Sequence, residues 1–364
     1  MRSAVRFRLP PELEAAAPPE ARGLRRDHVR LLLVDRASGS ATHHRFHELP
    51  WLLEPGDLLV VNDSRTLPAS LLGHTAAGVP LEVRLAARDG SSERWAALVL
   101  GVPAGGGDPA LVPTDARPAA PPLETGERLE FGGGLGATVL GRHEEAGPLV
   151  WLAFDAAGER LAEALHRAGR PVRYAYVPRA WPLHHYQTLF AAGPGSAEMA
   201  SAGRPFTVQT LADLRGRGVG LATISLHAGL STYGDPATDR RYVPAEPYLV
   251  PEATAAAVAA CRAAGGRVVA VGTTVVRALE TAAAPPAGVR AGGGVTRLRI
   301  GPGHRLAAVD GLLTGLHEPE ASHLDLLGAF VDRPALDRAY AVALAAGYLW
   351  HEFGDVCLLL PRRS

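Results

Sequence analysis

Arg267-Val268-Val269-Ala270-Val271-Gly272-Thr273-Thr274-Val275-Val276-Arg277-Ala278-Leu279-Glu280 reads as a buried strand that turns through Gly-Thr-Thr straight into a helix. A short apolar run bounded by turn residues marks the strand. The turn presents backbone N–H groups and two hydroxyls at a helix N-terminus, which suits an anionic or hydroxyl-rich ligand; Thr274 equally fits a plain N-cap. Working outward, residues 252–264 form an Ala-rich helical stretch broken by Gly265-Gly266, and Leu221 to Leu226 form another strand. Thr207 to Arg217 and Gly158 to Ala168 read as helices, the first stopped by Gly218. Strands that alternate with helices in this way predict an α/β domain.

The N-terminal part adds two strand-like runs, Arg30 to Asp35 and Leu58 to Val61, with a short helical stretch ending over Leu52 to Pro55. Asn62-Asp63-Ser64-Arg65 follows the second run at its C-terminal end, where α/β folds commonly carry function. Residues 69–154 differ in texture: four short apolar strands, around Leu81, Trp95, Ala137 and Leu149, are separated by turns without helices, which predicts a small all-β unit. Residues 102–123, rich in Pro, Gly and Ala, are expected to be a mobile loop. The expected architecture is therefore a discontinuous α/β domain, 1–66 and 155–364, interrupted by a β-rich insertion, 67–154.

The composition suits packed globular structure: 364 residues, 47% apolar and 20% charged. Basic and acidic residues number 37 each, so no global charge attracts nucleic acid, and every basic residue is Arg. Cys261 and Cys357 are far apart in apolar surroundings, giving neither a disulfide framework nor a metal spacing. The N-terminal residues alternate Arg with apolar groups, and no stretch of 18 apolar residues follows. A soluble, cytoplasmic protein is expected, with no membrane segment and no metal.

Three further segments carry candidate chemistry. Ser225 to Tyr233, S-L-H-A-G-L-S-T-Y, sets His227 at a strand end before small residues that permit close approach of a ligand. His227 fits a general base or a substrate hydrogen bond; a satisfied strand-end histidine is the plainer alternative. Leu312 to Glu320 places His317 beside hydroxyl and acidic groups, and His185 to Phe190 gathers an amide, a hydroxyl and aromatics.

In their order these segments resemble the S-adenosylmethionine:tRNA ribosyltransferase-isomerase family of queuosine biosynthesis. The family's N-D-[ST]-R-x-[IL]-P-A is read here at Asn62 to Ala69, Y-Q-T at Tyr186 to Thr188, and T-L-H-x-G-x-x-T-[FY] at Ser225 to Tyr233 with Ser first. E-x-Y is matched at Glu246 to Tyr248, V-G-T-T-x-V-R-x-L-E without a miss at Val271 to Glu280, and P-G at Pro302-Gly303. T-N-F-H-x-P-E-S is read as T-G-L-H-E-P-E-A at Thr314 to Ala321, and the terminal G-D falls at Gly354-Asp355.

The resemblance implies a barrel-like α/β main domain with a small inserted all-β domain, and no cofactor beyond S-adenosylmethionine itself as co-substrate. It implies that a base removes a C5′ proton acidified by the sulfonium, that adenine and methionine leave, and that the rearranged sugar joins the amine of 7-aminomethyl-7-deazaguanine in tRNA. A monomer is the family default. Carried by motif position, His227, His317 and Asp63 are the candidate catalytic residues. Asn62, Arg65, Tyr186, Gln187, Gly229, Thr232, Glu246, Tyr248, Gly272, Thr273, Thr274 and Arg277 are the candidate substrate contacts, and the strand ends at Asn62, His227 and Gly272 are expected to converge.

The sequence also departs from the pattern. P-T-A-G-L-H-F becomes Ala200 to Phe206, with Arg204 for Leu and Pro205 for His. H-x-M-H becomes Arg241 to Pro244, the Arg of P-A-R-L is Ser70, and the Asn of T-N-F-H is Gly315. A proline at position 205 can neither titrate nor donate from its nitrogen. Two other readings therefore stay open: a paralogue that delivers the donor to a small amine or deazapurine, or cleaves it alone, and a non-catalytic nucleoside- or RNA-binding protein.

Overall fold

The computed structural model describes residues 7–89, 94–285, 288–319 and 321–361; Glu320, read within the His317 segment, lies outside them. Nine strands form one sheet. From edge to edge they are Gly292–Thr296, Glu246–Val250, Gly220–Leu226, Leu58–Asn62, Val268–Val271, Gly311–Gly315, Val356–Leu360, Arg30–Asp35 and Ala41–Arg45. The four at the centre, from Gly220–Leu226 to Gly311–Gly315, run parallel. Their C-terminal ends lie side by side, placing Asn62, His227, Gly272 and His317 at or just beyond one rim of the sheet.

Period-two alternation explains how these strands are held. Leu58 and Val60 face a core with Ile224, Ala270 and Leu312, while Leu59 and Val61 face Val269, Val271 and Leu313 on the other side. Burial on both faces is what a near-continuous apolar run predicts, and each such side chain contributes about 1.5–3 kcal/mol. The helices that cover the first face include Glu252–Ala263 and Thr273–Thr281, which insert Val258, Val275 and Leu279.

The second sheet has a different closure. Ser70–Thr75, Pro80–Arg88, Arg94–Gly101, Leu149–Phe154, Gly136–Arg142 and Arg128–Phe131 pair in that order, and the last pairs back onto the first. Six strands thus close into a small barrel around Leu71, Val83, Leu98, Leu129 and Leu152. Gly169–Arg170 adds to its Ser70–Thr75 strand. The expected class, mixed α/β with a barrel and a β unit, is the one the chain adopts, with ring closure in the β-rich unit and the nine-stranded sheet open at its edges.

Residues 102–123 are not the loose loop that their composition suggests. Short 3₁₀ turns occupy Pro109–Leu111 and Thr114–Ala116. Arg117, 8% exposed, donates to Gly101 O, Pro109 O and Glu82 Oε2. Arg84 grips Glu82 from the other side at 2.8 Å. Burial pushes Glu82 up, but the two guanidinium groups reverse this and hold the carboxyl below its ordinary range. Removing one partner of such a buried cluster would strand a charge, so the segment is tied down by an ion pair that composition could not reveal. Among the described residues, no helix is long and apolar enough to cross a membrane, and no group of three or more His, Cys, Asp or Glu is placed to hold a metal.

Candidate active site

Asn62 stitches the rim together. Its Nδ2 donates to Leu226 O at 2.8 Å and Thr274 Oγ1 at 3.3 Å, and its Oδ1 accepts from Ser64 N and Leu226 N. All of its hydrogen-bonding capacity is used, so Asn62 joins three chain segments and has nothing left for a ligand. Gln187 pairs both ends of its amide with the Thr66 backbone, keeping one N–H and one lone pair.

Beside Asn62, the His227 ring lies against Gly195, where an added Cβ would fall 2.2 Å from Nδ1. Nδ1 is 2.8 Å from Ser64 Oγ, and that hydroxyl is 2.6 Å from Ser196 Oγ, which accepts Ala228 N–H at 3.0 Å. The serines thus fix the imidazole on one nitrogen and leave Nε2 without a partner among the described residues. Burial lowers the His227 pKa from its ordinary value, with the Asp63 charge opposing, so the ring is neutral near pH 7. Asp63 itself accepts from Ser225 Oγ at 2.5 Å.

A cavity of about 150 Å³ opens next to this rim, lined by Gly229, Glu246, Thr273, Thr274 and Arg277 among others. Gly272 has φ +95°, a backbone region nearly exclusive to glycine, and this lets the chain leave the strand and start the helix at once. Glu246 accepts from Gly229 N at 3.1 Å and pairs with Arg277. His317 is not in the cavity wall, but its ring stacks at 4.7 Å on His323, which is. His317 is bonded to Thr314 Oγ1 at 2.8 Å, and burial holds it well below its ordinary pKa.

Other expected contacts lie apart. Arg65 is exposed on the strand Ser64–Thr66. Thr232 bonds Asp239, and Tyr248 packs its ring near Gly294. Tyr186 packs on Phe353 and lines a larger cavity of about 470 Å³ with Pro68, Arg173 and Trp181. The acidic groups there, Glu82 and Asp108, are already neutralised by arginines, so its size alone does not make it the reactive site.

Sequence reasoning missed a second set of groups. Glu198 borders the 150 Å³ cavity and accepts from Tyr174, Ser231 N and Ser231 Oγ. Tyr174 stacks on Tyr176, whose hydroxyl donates to Glu352 at 2.7 Å. Tyr176 in turn stacks on His351 with centroids 3.7 Å apart. Burial, with Glu198 and Glu318 adding repulsion, raises Glu352 to about 7, and burial takes His351 down to about 4. Glu318, crowded by these walls although its tip meets water, is raised as well. Glu318 belongs to the segment already singled out around His317, but the others come from distant stretches that share no spacing, so no motif joined them.

An α/β sheet with a neutral imidazole, hydroxyls and a helix start gathered at its parallel strand ends defines an enzyme-like site of the kind that handles polar, nucleoside-sized ligands. The queuosine biosynthesis protein family profile matches residues 2–359. Two relatives bear the name S-adenosylmethionine:tRNA ribosyltransferase-isomerase. That of Gloeobacter violaceus is 39% identical over 98% of this chain and 94% of its own. That of Anaeromyxobacter dehalogenans is 40% identical over 98% of both. A crystal structure titled S-adenosylmethionine tRNA ribosyltransferase, from Thermotoga maritima, superposes with a TM-score of 0.53 at 30% identity, covering 97% of this chain and 99% of that one. The chain belongs to the queuosine biosynthesis protein family.

Proposed function

We propose that this protein is an S-adenosylmethionine:tRNA ribosyltransferase-isomerase that moves and rearranges the ribosyl group of S-adenosylmethionine onto 7-aminomethyl-7-deazaguanine in tRNA. The observation that carries the reading is the His227 rim: a neutral, oriented imidazole beside a cavity of about 150 Å³, in a chain matched end to end by relatives of that name. No cofactor is needed beyond the donor itself. When Nδ1–H is donated to Ser64, Nε2 carries the lone pair and can accept the C5′ proton next to the sulfonium. The electrons left on C5′ begin the rearrangement, adenine and methionine depart, and the sugar carbon joins the acceptor amine. Leu230, Tyr233, Tyr242 and Ile300, which line the cavity, keep water from the reactive sugar.

Arg204 and Pro205, which differ from the family pattern, fit this reading. Arg204 is 2% exposed and bonds His185 O and Glu20 rather than facing the 150 Å³ cavity. Pro205 and Gly315, which replace a His and an Asn, border the same tiny void. The two changes therefore adjust one another's packing beside Glu352.

The test is chromatography of adenine released from S-adenosylmethionine, with and without tRNA bearing the aminomethyl base. Release that requires the tRNA is expected, and His227→Ala should abolish it. RNA-independent release would favour a small acceptor, and no release would favour a binding protein.

A further inference from the structure

The residues that line the 150 Å³ cavity carry hydrogen-bonding surpluses of both kinds. The Tyr233 hydroxyl and Arg277 Nη2 are buried and have no hydrogen-bond partner. Tyr233 is 4% exposed, so water does not satisfy it from outside. The rest of the guanidinium is fixed: Nε donates to Leu298 O at 3.0 Å and Nη1 to Glu246. This clamp leaves the two N–H groups of Nη2 to be used. Thr273 and Thr274, which also line the cavity, open the nine-residue helix Thr273–Thr281, whose first amides have no partner inside the helix and whose dipole is positive here. Carboxylates nearby are already occupied. Glu246 accepts from Gly229 and Arg277, and Asp239 accepts from Thr232 Oγ1 and Tyr233 N. The surplus is of N–H and O–H donors at the positive end of a helix, which suits a two-oxygen anion.

Glu198, which borders the same cavity, is the reverse. Glu198 takes all three of its hydrogen bonds, from Tyr174, Ser231 N and Ser231 Oγ, on Oε1. Oε2 accepts nothing among the described residues, although Glu198 borders the cavity. A carboxylate oxygen left over at a cavity wall is a place for a cation with N–H donors.

We propose that this cavity holds the zwitterionic amino-acid end of S-adenosylmethionine, with its carboxylate on Arg277 Nη2, the Tyr233 hydroxyl and the helix start, and its ammonium on Glu198 Oε2. The inference rests on the reading that the chain uses this donor, and it fixes the donor's direction. Ala228 also lines the cavity, so the sulfonium and ribose extend toward the neighbouring His227, and Glu246 acts as a positioning residue for Arg277. The methionine product leaves from the same pocket.

The experiment is calorimetric titration of the full chain with S-adenosylmethionine and with its decarboxylated analogue, run beside adenine release with the tRNA substrate. The decarboxylated analogue should bind about tenfold or more weakly, the loss expected for hydrogen bonds to a charged group. Tyr233→Phe should weaken the natural donor about tenfold and leave the decarboxylated one unchanged, because its partner is already missing. Arg277→Lys should act in the same sense. Equal binding of the two donors by the wild type, or equal weakening of both by Tyr233→Phe, overturns the subsite, as does failure of the natural donor to bind. Carboxylate-dependent binding without any adenine release would leave the subsite standing and remove the transferase reading instead.

Discussion

The working parts of His227 are two serines and a carboxylate that touch it or sit beside it. Ser64 holds Nδ1 at 2.8 Å, and Ser196 holds Ser64 in turn. Removing the hydroxyl leaves the ring free to rotate and to choose the other tautomer. Ser64→Ala is expected to lower kcat for adenine release about tenfold, ~1.4 kcal/mol of barrier, with little change in KM. The pH profile gives the sharper test. Burial lowers the His227 pKa below 6.5 while Asp63 pulls it back up, so the acidic limb of kcat/KM should lie below 6.5. Asp63→Asn removes the opposing charge, and the limb should move further down. A limb that stays put or rises would mean that another group takes the proton.

At the scale of elements, the site depends on how closely strands and turns approach. The segment Gly193–Ser196 runs parallel to Ser64–Thr66 and brings Gly195 under the imidazole. A methyl group there would occupy ring space, so Gly195→Ala should cut adenine release at least about a hundredfold, ~2.7 kcal/mol. The urea midpoint should stay near wild type, because a partly exposed ring can swing aside. A fully active variant would show that the observed ring position is not the working one. The legibility of these elements in the sequence was uneven. The Val268–Val271 strand and Thr273–Thr281 helix follow from an apolar run and a glycine, signals that are local. The motifs also brought the right strand ends together. They could not separate scaffold from ligand contact: Asn62 and Gln187 spend their amides on backbone, Glu280 on the amides of Ala307 to Val309, and Asp355 on Arg30 and Leu349. Such uses involve partners up to 325 residues away, which no spacing rule reaches.

The molecule as a whole gathers acids into one cleft from across its length. Glu198 and Glu318 each repel Glu352, and the rings of Tyr174, Tyr176 and His351 stack in series beside them. Buried acids concentrated in this way lower stability wherever they ionise. The cost has a definite sign in pH. Burial holds Glu352 near 7 when folded, against 4.5 for an ordinary glutamate. Between those values the native protein keeps a proton that the unfolded chain has lost. Stability from this group is therefore present below 4.5, falls by up to about 1.4 kcal/mol per pH unit, and is gone above 7. His323 and His351, each near 4 through burial, act oppositely between 4 and 6.5, since the unfolded chain takes up protons there that the native one refuses. Because wild-type stability mixes these slopes, the informative quantity is a difference. Glu352→Gln keeps a carbonyl to accept the Tyr176 hydroxyl and cannot ionise, while both histidines remain. Urea unfolding at pH 5 should find the two proteins nearly equal. At pH 8 the variant should be more stable by about 1–3 kcal/mol, with some screening at the cleft mouth reducing the full effect. If the gap is the same at both pH values, Glu352 is ionised throughout, and its burial does not hold it in the neutral form.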